Sequence, residues 1–475
     1  MDFISVLRII IYFAYLITII GTILVVVTEN RNPHKTLAWV LVLIFIPAIG
    51  LIFYYIFGEN TRKKRKVNIR FEDFAADLYH DLIDEGIEIE DHKSLLPEEA
   101  VSLANLLEQS YNSRLFHGSD IEIITSGERK FQALIEDLEN AKHHIHMEYF
   151  NFNNDETGIK VKEILMRKAS EGVRVRFIYE NLANIGTLPR FYYEMRKSGV
   201  QVIPFTKITL PWSRRKLNYR NHRKIVVIDG KIGYTGGMNV GNEYAREWRD
   251  THIRILGEGV YALQANFLFF WITSGGKPVS HYRDYFPATR KYSDNLIQIV
   301  PESPDAQWPY LLYATTDLVS NTNKYLYIQT PYYMPTESVL QALQTAALKG
   351  VDVRIMLSRR SDFRFMDFAS NSYYEESLKA GIRIYENQHR FIHAKTMVSD
   401  DFISVIGSAN LDFRSLELSY EINTYMYDRE LALLNKGIFI KDMEECKEIL
   451  PEEWRKRSWW HKFLESVMKL FSPLL

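Results

Sequence analysis

Asn221-His222-Arg223-Lys224-Ile225-Val226-Val227-Ile228-Asp229 and Ile392-His393-Ala394-Lys395-Thr396-Met397-Val398-Ser399-Asp400 share one pattern, with Lys two residues and Asp seven residues after His. Each is followed at the same offset by a small-residue loop ending in Asn, Gly236-Gly237-Met238-Asn239 in one case and Gly407-Ser408-Ala409-Asn410 in the other. With 13 histidines and roughly a one-in-400 chance of both partners, about 0.03 accidental matches are expected. Two matches with the same trailing loop therefore mark a duplication.

The repeat extends outward from the motif. Lys160–Glu171 has helical spacing and leads through Gly172 into the apolar run Val173–Tyr179, as Val339–Lys349 leads through Gly350 into Val351–Leu357. Tyr192-Tyr193-Glu194 with Gly199–Ile203 matches Tyr373-Tyr374-Glu375 with Gly381–Tyr385. Helices alternating with short apolar strands predict α/β layering. The expected architecture is two tandem lobes related by a pseudo-two-fold, over 119–285 and 286–450, with the site at their junction. Residues 67–118 have no counterpart and read as a charged, mostly helical connector.

The 475 residues exceed one compact domain at roughly 150 residues each. With 58 Lys and Arg against 59 Asp and Glu, the whole chain is no polycation, so any nucleic-acid or membrane electrostatics must come from local clusters. One cysteine, Cys446, excludes an intramolecular disulfide and a Cys-based zinc site.

The ends are apolar. Ile9–Val27 and Thr36–Phe57 are 19 and 22 residues without a formal charge. Each is long enough as a helix for a hydrocarbon core of about 30 Å. Residues 1–66 are thus predicted to form a two-helix transmembrane hairpin with a basic flank. Arg62-Lys63-Lys64-Arg65-Lys66 after the second run predicts a multi-pass protein with its remaining body cytoplasmic. In the terminal segment 451–475, Trp460, Phe463, Leu464, Val467, Met468 and Phe471 recur at helical spacing. An amphipathic helix in the membrane interface and an ordinary helix on the catalytic body both fit.

Within the motif, strand alternation sends His222 and Lys224 to one face and Arg223 to the other, and pairs His393 with Lys395. Asp229 and Asp400, at odd offsets where turns end the strands, fit a turn brace or an ion pair. Asn239 and Asn410 can return an amide to the His–Lys face. Asp250 and Glu421 each lie 28 residues after a motif histidine, and a carboxylate there can hydrogen-bond the second ring nitrogen. Two imidazoles, two ammonium groups and two amides suit a phosphodiester. The cations stabilise the non-bridging oxygens, one imidazole attacks phosphorus, and the other serves as acid and then base. The cationic side chains supply the charge a metal otherwise would, and no cofactor is expected.

His143-His144-Ile145-His146 offers a rival metal site, with His144, His146 and Glu148 on one strand face. Its counterparts Tyr325, Tyr327 and Gln329 are poor ligands, so these histidines read as strand residues bordering the site. Glu148 and Gln329 remain candidates for substrate contact. So do Arg214, Arg215 and Lys216, in an insertion absent before His393; a solvated basic loop is the other reading of these three.

The duplicated H-x-K-x4-D with trailing G-[GS]-x-N resembles the phospholipase D superfamily over about residues 120–445. Glu29–Pro33, Leu217–Lys224 and the ending Phe471–Leu475 resemble the bacterial cardiolipin synthases more closely. The resemblance implies a bacterial cell-membrane enzyme that joins two phosphatidylglycerol molecules into cardiolipin and glycerol, with no nucleic-acid partner. It carries His222, Lys224, Asp229, His393, Lys395 and Asp400 over as active-site residues, with His222 as nucleophile and His393 as acid and base. Gly237 departs from the pattern, since the other copy has Ser408. A phospholipase D-type hydrolase, with water as acceptor, would use the same residues, and a non-catalytic membrane scaffold is a third class.

Overall fold

In the computed structural model the two matched halves form two sheets with one strand order. Residues 3–28, 33–54, 70–87, 92–187, 189–205 and 219–472 are described. The connector ends in β1 (Leu115–His117), and the first half supplies β2 (Asp120–Ile124), β3 (His144–Tyr149), β4 (Arg174–Tyr179), β5 (Gln201–Pro204), β6 (Ile225–Ile228), β7 (Ile232–Gly236) and β8 (His252–Leu256). The second supplies β9 (Leu296–Glu302), β10 (Tyr325–Gln329), β11 (Tyr333–Met334), β12 (Asp352–Ser358), β13 (Arg383–Asn387), β14 (Thr396–Ser399), β15 (Ile403–Gly407), β16 (Leu411–Asp412), β17 (Glu421–Tyr427) and β18 (Cys446–Glu448).

The first sheet runs β2-β8-β7-β6-β3-β4-β5, and the second repeats that sequence as β9-β17-β15-β14-β10-β12-β13, with β1 and β18 added at its edges. The pattern of directions repeats too: β3–β4–β5 and β10–β12–β13 are parallel, while β3–β6 and β10–β14 are antiparallel. Helices cover the parallel strands, so β3 and β10 are buried along their whole lengths. Local signals also match. Asp155 and Thr336 cap the helices Glu156–Ser170 and Glu337–Leu348, and Gly172 and Gly350 follow their C-terminal ends at φ +94° and +96°.

The connector holds the helices Phe71–Asp84 and Glu98–Tyr111, and its last strand, β1, pairs with β9 of the second sheet. Gln298 fastens this join, donating to the carbonyls of Ala104 (3.1 Å) and Ser113 (2.9 Å).

The chain divides into two compact units, Met1–Lys66 with Ile208–Tyr219 and Val67–Lys207 with Arg220–Leu475. In the smaller unit, Phe3–Thr28 is a continuous apolar helix of 26 residues, the one helix among the described residues long and apolar enough to cross a membrane. The second apolar run differs from the expected single span. It breaks at Ile46–Pro47 into the helices Pro33–Phe45 and Pro47–Phe53. The second piece turns back on the first: the Trp39 and Tyr54 rings lie 5.4 Å apart, and a Cβ on Gly50 would meet the Val42 carbonyl at 2.9 Å. Thirteen helical residues reach only about 20 Å, short of a hydrocarbon core. Proline, lacking an N–H and restricting the residue before it, explains the break. The basic cluster Arg62–Lys66 lies outside the described residues.

The C-terminal helix Trp459–Phe471 packs on the helix Arg364–Asn371 through its inner face, where Glu465 is buried against Arg457 at 2.9 Å.

Candidate active site

Each motif histidine lies in an extended segment just before a strand, β6 or β14, and that segment crosses to the other lobe. The amide of His222 donates to the carbonyl of Tyr420 (2.9 Å), and the amide of Tyr420 donates to that of Arg220 (2.8 Å). The equivalent pair in the other half repeats this: His393 N–H to Arg249 O at 2.7 Å and Arg249 N–H to Phe391 O at 2.9 Å. Tyr420 and Arg249 immediately precede Glu421 and Asp250, so each bridge sets a carboxylate of one lobe beside the histidine of the other. His222 Nδ1 lies 3.1 Å from both Glu421 oxygens and 3.0 Å from the Ser408 carbonyl. His393 Nδ1 lies 2.6 Å from Asp250 Oδ2. The 28-residue spacing therefore identifies the carboxylates but not the pairing, which is exchanged between lobes.

With Nδ1 committed to a carboxylate, Nε2 is the ring nitrogen left to react. Lys224 and Lys395 fold back so that each ammonium donates to the carbonyl of its own motif histidine, at 2.5 Å for Lys224. Burial lowers the pKa of His222, opposed by Glu421 and reinforced by both lysines. Burial and Lys395 bring His393 down to about 3, against Asp250. Burial also pushes Lys224 far below the usual ammonium range and Lys395 to about 8, opposed by Asp250 and Glu421. Each lysine is influenced by carboxylates of both lobes, so the two half-sites share one buried electrostatic field.

Ser408 accounts for part of the motif asymmetry. Its hydroxyl donates to Glu421 Oε2 at 2.5 Å and accepts from the Ile422 amide at 2.9 Å. At Gly237 a Cβ would collide with the Asp250 carboxylate, so no side chain fits there. Serine goes with the longer Glu, glycine with the shorter Asp.

Among the other candidates, Asp229, Asp400, Glu148 and Gln329 make their hydrogen bonds away from the motif histidines. Asp229 and Asp400 carry the motif but not its chemistry. Asp229 accepts from the amides of Lys142, His143 and His144 at 2.8–3.0 Å, and Asp400 from those of Asn323, Lys324 and Tyr325 at 2.6–2.9 Å. Both sit in left-handed turns, φ +53° and +52°, bracing the start of β3 and of β10. Glu148 is buried behind His222, accepting from Asn221 Nδ2 (2.6 Å) and Arg223 Nε (3.2 Å). Gln329 is buried behind His393, donating to Asp442 Oδ2 at 2.7 Å. Both side chains are fully buried in these contacts. Asn239 accepts from the Asn151 amide (3.2 Å), and Asn410 hydrogen-bonds Asp412. Arg214, Arg215 and Lys216 lie outside the described residues.

The histidine run does not border the site. His144 and His146 face the helix Val260–Thr273, bridged by Gln264 at 3.1 and 2.8 Å, and Arg176 lies 2.9 Å from His146. Strand alternation places them opposite the reacting face.

Several contributors carry no motif. Tyr244, Trp248 and Phe391 surround His393, with ring centroids 5.7, 5.1 and 5.8 Å away. Near His222 a single ring, Phe150, lies 4.9 Å away, and the lobes bring together Arg220, Arg414 and the buried Glu180, whose charges influence one another. Behind Asp250, burial brings Lys130 to about 7, and its ammonium donates to Tyr149 Oη at 3.2 Å. Tyr332 donates to Asp362 at 2.5 Å, and Asp362 is near enough to favour the charged form of Lys395.

A family profile described as "Cardiolipin synthase, PLD-like domain" matches twice, over residues 134–271 and 316–443, once per lobe. A second, "Phospholipase_D-nuclease N-terminal", matches residues 10–59. The cardiolipin synthase of Halalkalibacterium halodurans is 36% identical over 474 residues, covering 97% of this chain and 92% of that protein. This chain belongs to the cardiolipin synthase family. Cardiolipin synthase 1 of Bacillus anthracis is 37% identical over 473 residues, covering 97% of this chain and 92% of its own. A cardiolipin synthase of Listeria monocytogenes is 35% identical, covering 94% of this chain and 95% of its own. Among solved structures, the phosphatidylserine synthase of Haemophilus influenzae superposes with a TM-score of 0.60 at 16% identity, covering 79% of this chain and all of its own, which supports the fold.

Proposed function

We propose that this protein transfers a phosphatidyl group from one phosphatidylglycerol to another, releasing glycerol and forming cardiolipin. The observation that carries this reading is the crossed pair of His–carboxylate couples with two buried lysines between them. His222 Nε2 attacks phosphorus, the bond from phosphorus to the glycerol headgroup breaks, and His393 gives its proton to the departing oxygen. The terminal hydroxyl of the second phosphatidylglycerol then loses its proton to His393 and attacks, breaking the P–N bond. Lys224 and Lys395 stabilise the equatorial oxygens. Burial, reinforced by the charges of Lys395 and Lys224, holds His393 neutral against the pull of Asp250. An anionic phosphodiester cancels their charge and raises its proton affinity, so it becomes an acid once substrate is bound.

Arg220 and Arg414 suit a second anionic headgroup, since both substrates carry phosphate. The helix Phe3–Thr28 is read as the membrane anchor. Because the second apolar run folds back, one crossing suits the chain better than two. The cations Arg31, Lys35 and Arg62–Lys66 then favour a cytoplasmic body. Purified full-length protein given phosphatidylglycerol alone should yield cardiolipin and glycerol in equal amounts. Phosphatidic acid as the main product would replace this reading with hydrolysis.

A further inference from the structure

We infer that the outer face of the C-terminal helix, together with the loop before the helix Arg364–Asn371, is a docking surface for an anionic lipid bilayer. Trp459, Trp460, Phe463, Leu464, Leu470 and Phe471 share that outer face, with Trp459 and Trp460 65% and 66% exposed. The inner face is fixed to the body: Lys469 pairs with Glu376 at 2.5 Å, Arg457 with Glu465, and His461 lies over Phe368. The helix thus uses its polar groups for folding and leaves its aromatic groups outward, the reverse of an ordinary surface helix.

Phe363 and Phe365 add to the surface, 56% and 44% exposed and stacked 5.6 Å apart. Their loop also reaches the electrostatic field of the site, because Asp362, next to Phe363, accepts from Tyr332 and favours the charged form of Lys395. One segment therefore links the apolar surface to the reacting ammonium. The occupant follows from composition: tryptophan and phenylalanine prefer the headgroup boundary, and the exposed cations Arg360, Arg364, Arg455 and Lys456 complement anionic lipid. A bilayer is also what the spanning-length N-terminal helix provides.

This inference rests on the phosphatidyl-transfer reading for its purpose, but its first test does not require activity. Full-length protein in nanodiscs containing phosphatidylglycerol brominated near the headgroup should show quenched tryptophan emission. Much of that quenching should disappear in the W459S/W460S variant, and equal quenching in both proteins would overturn the proposal. The second test compares transfer by the F363S/F365S and W459S/W460S/F463S variants on two substrates. Activity in phosphatidylglycerol bilayers should fall by about tenfold or more, while activity on monomeric short-chain phosphatidylglycerol in detergent stays within about twofold. Equal activity in bilayers would overturn it. So would a native dimer that becomes monomeric in these variants with unchanged quenching, because the face would then hold a second copy of the chain.

Discussion

The two half-sites share a backbone plan and differ in their surroundings. Around His222 lie Ser408, Glu421, one aromatic ring (Phe150) and the charged group Arg220, Arg414 and Glu180; around His393 lie Asp250 and three aromatic rings, Tyr244, Trp248 and Phe391. Duplication supplies two equal imidazoles, and the neighbours then make them unequal. The more apolar enclosure accompanies the imidazole brought to about 3, the one assigned to acid–base work. The half-site with more charged neighbours holds the assigned nucleophile. A symmetric active site catalysing an asymmetric reaction needs such a difference.

The sharpest way to break this comparison is to remove each imidazole in turn. H222A and H393A should each lower phosphatidyl transfer by on the order of 10⁴-fold. With a donor whose leaving group needs no proton, only H393A should still release that group in a single burst. Equal bursts from both variants would erase the distinction.

Next in size are the crossed carboxylates. E421Q and D250N should each lower kcat by on the order of 100-fold, since a neutral amide orients the ring but no longer supports imidazolium. Because the pairing is exchanged, E421Q should disturb the ¹⁵N shifts of His222 and leave those of His393 largely in place. A stronger response at His393 would contradict the exchange.

The pH profile sharpens the comparison further. Burial lowers His222, so kcat/KM should hold as pH falls through the usual imidazole value of about 6.5 and decline only below it. Lys395 loses its proton near 8, so a basic limb should begin there and disappear in K395R, whose guanidinium does not titrate in that range. An acid limb above 6.5 would count against a neutral resting nucleophile.

The smallest effect on chemistry should come from the third motif residue. D229A and D400A each strand three backbone amides, so unfolding free energy should drop by about 1–3 kcal/mol while turnover per folded molecule is unchanged. A specific loss of kcat would return these aspartates to the reacting face.

Much of this was open to reading in the sequence. Period-two alternation separated His222 and Lys224 from Arg223, and the offset of Asp229 and Asp400 pointed to turns. Matched spacing singled out Asp250 and Glu421. Hidden from it was everything created by bringing the lobes together: the exchange of carboxylates, the meeting of Arg220 with Arg414, and the aromatic wall around His393. These contacts join segments far apart in the chain, and no local pattern encodes them. Glu148 and Gln329 faced inward for a related reason, because strand parity gives a side but not which side holds substrate. The break within the second apolar run was less visible in composition. Its hydrophobicity was continuous, while Pro47 already carried the signal for the fold-back.

The central claim is that His222 of one lobe becomes covalently phosphorylated while His393 of the other handles protons. The most direct measurement is mass spectrometry of H393A protein quenched in alkali after exposure to an activated phosphatidyl donor. A phosphoramidate adduct is expected on the peptide bearing His222, and none when His222 is replaced. An adduct on His393 in H222A protein with none on His222 in H393A protein would contradict it.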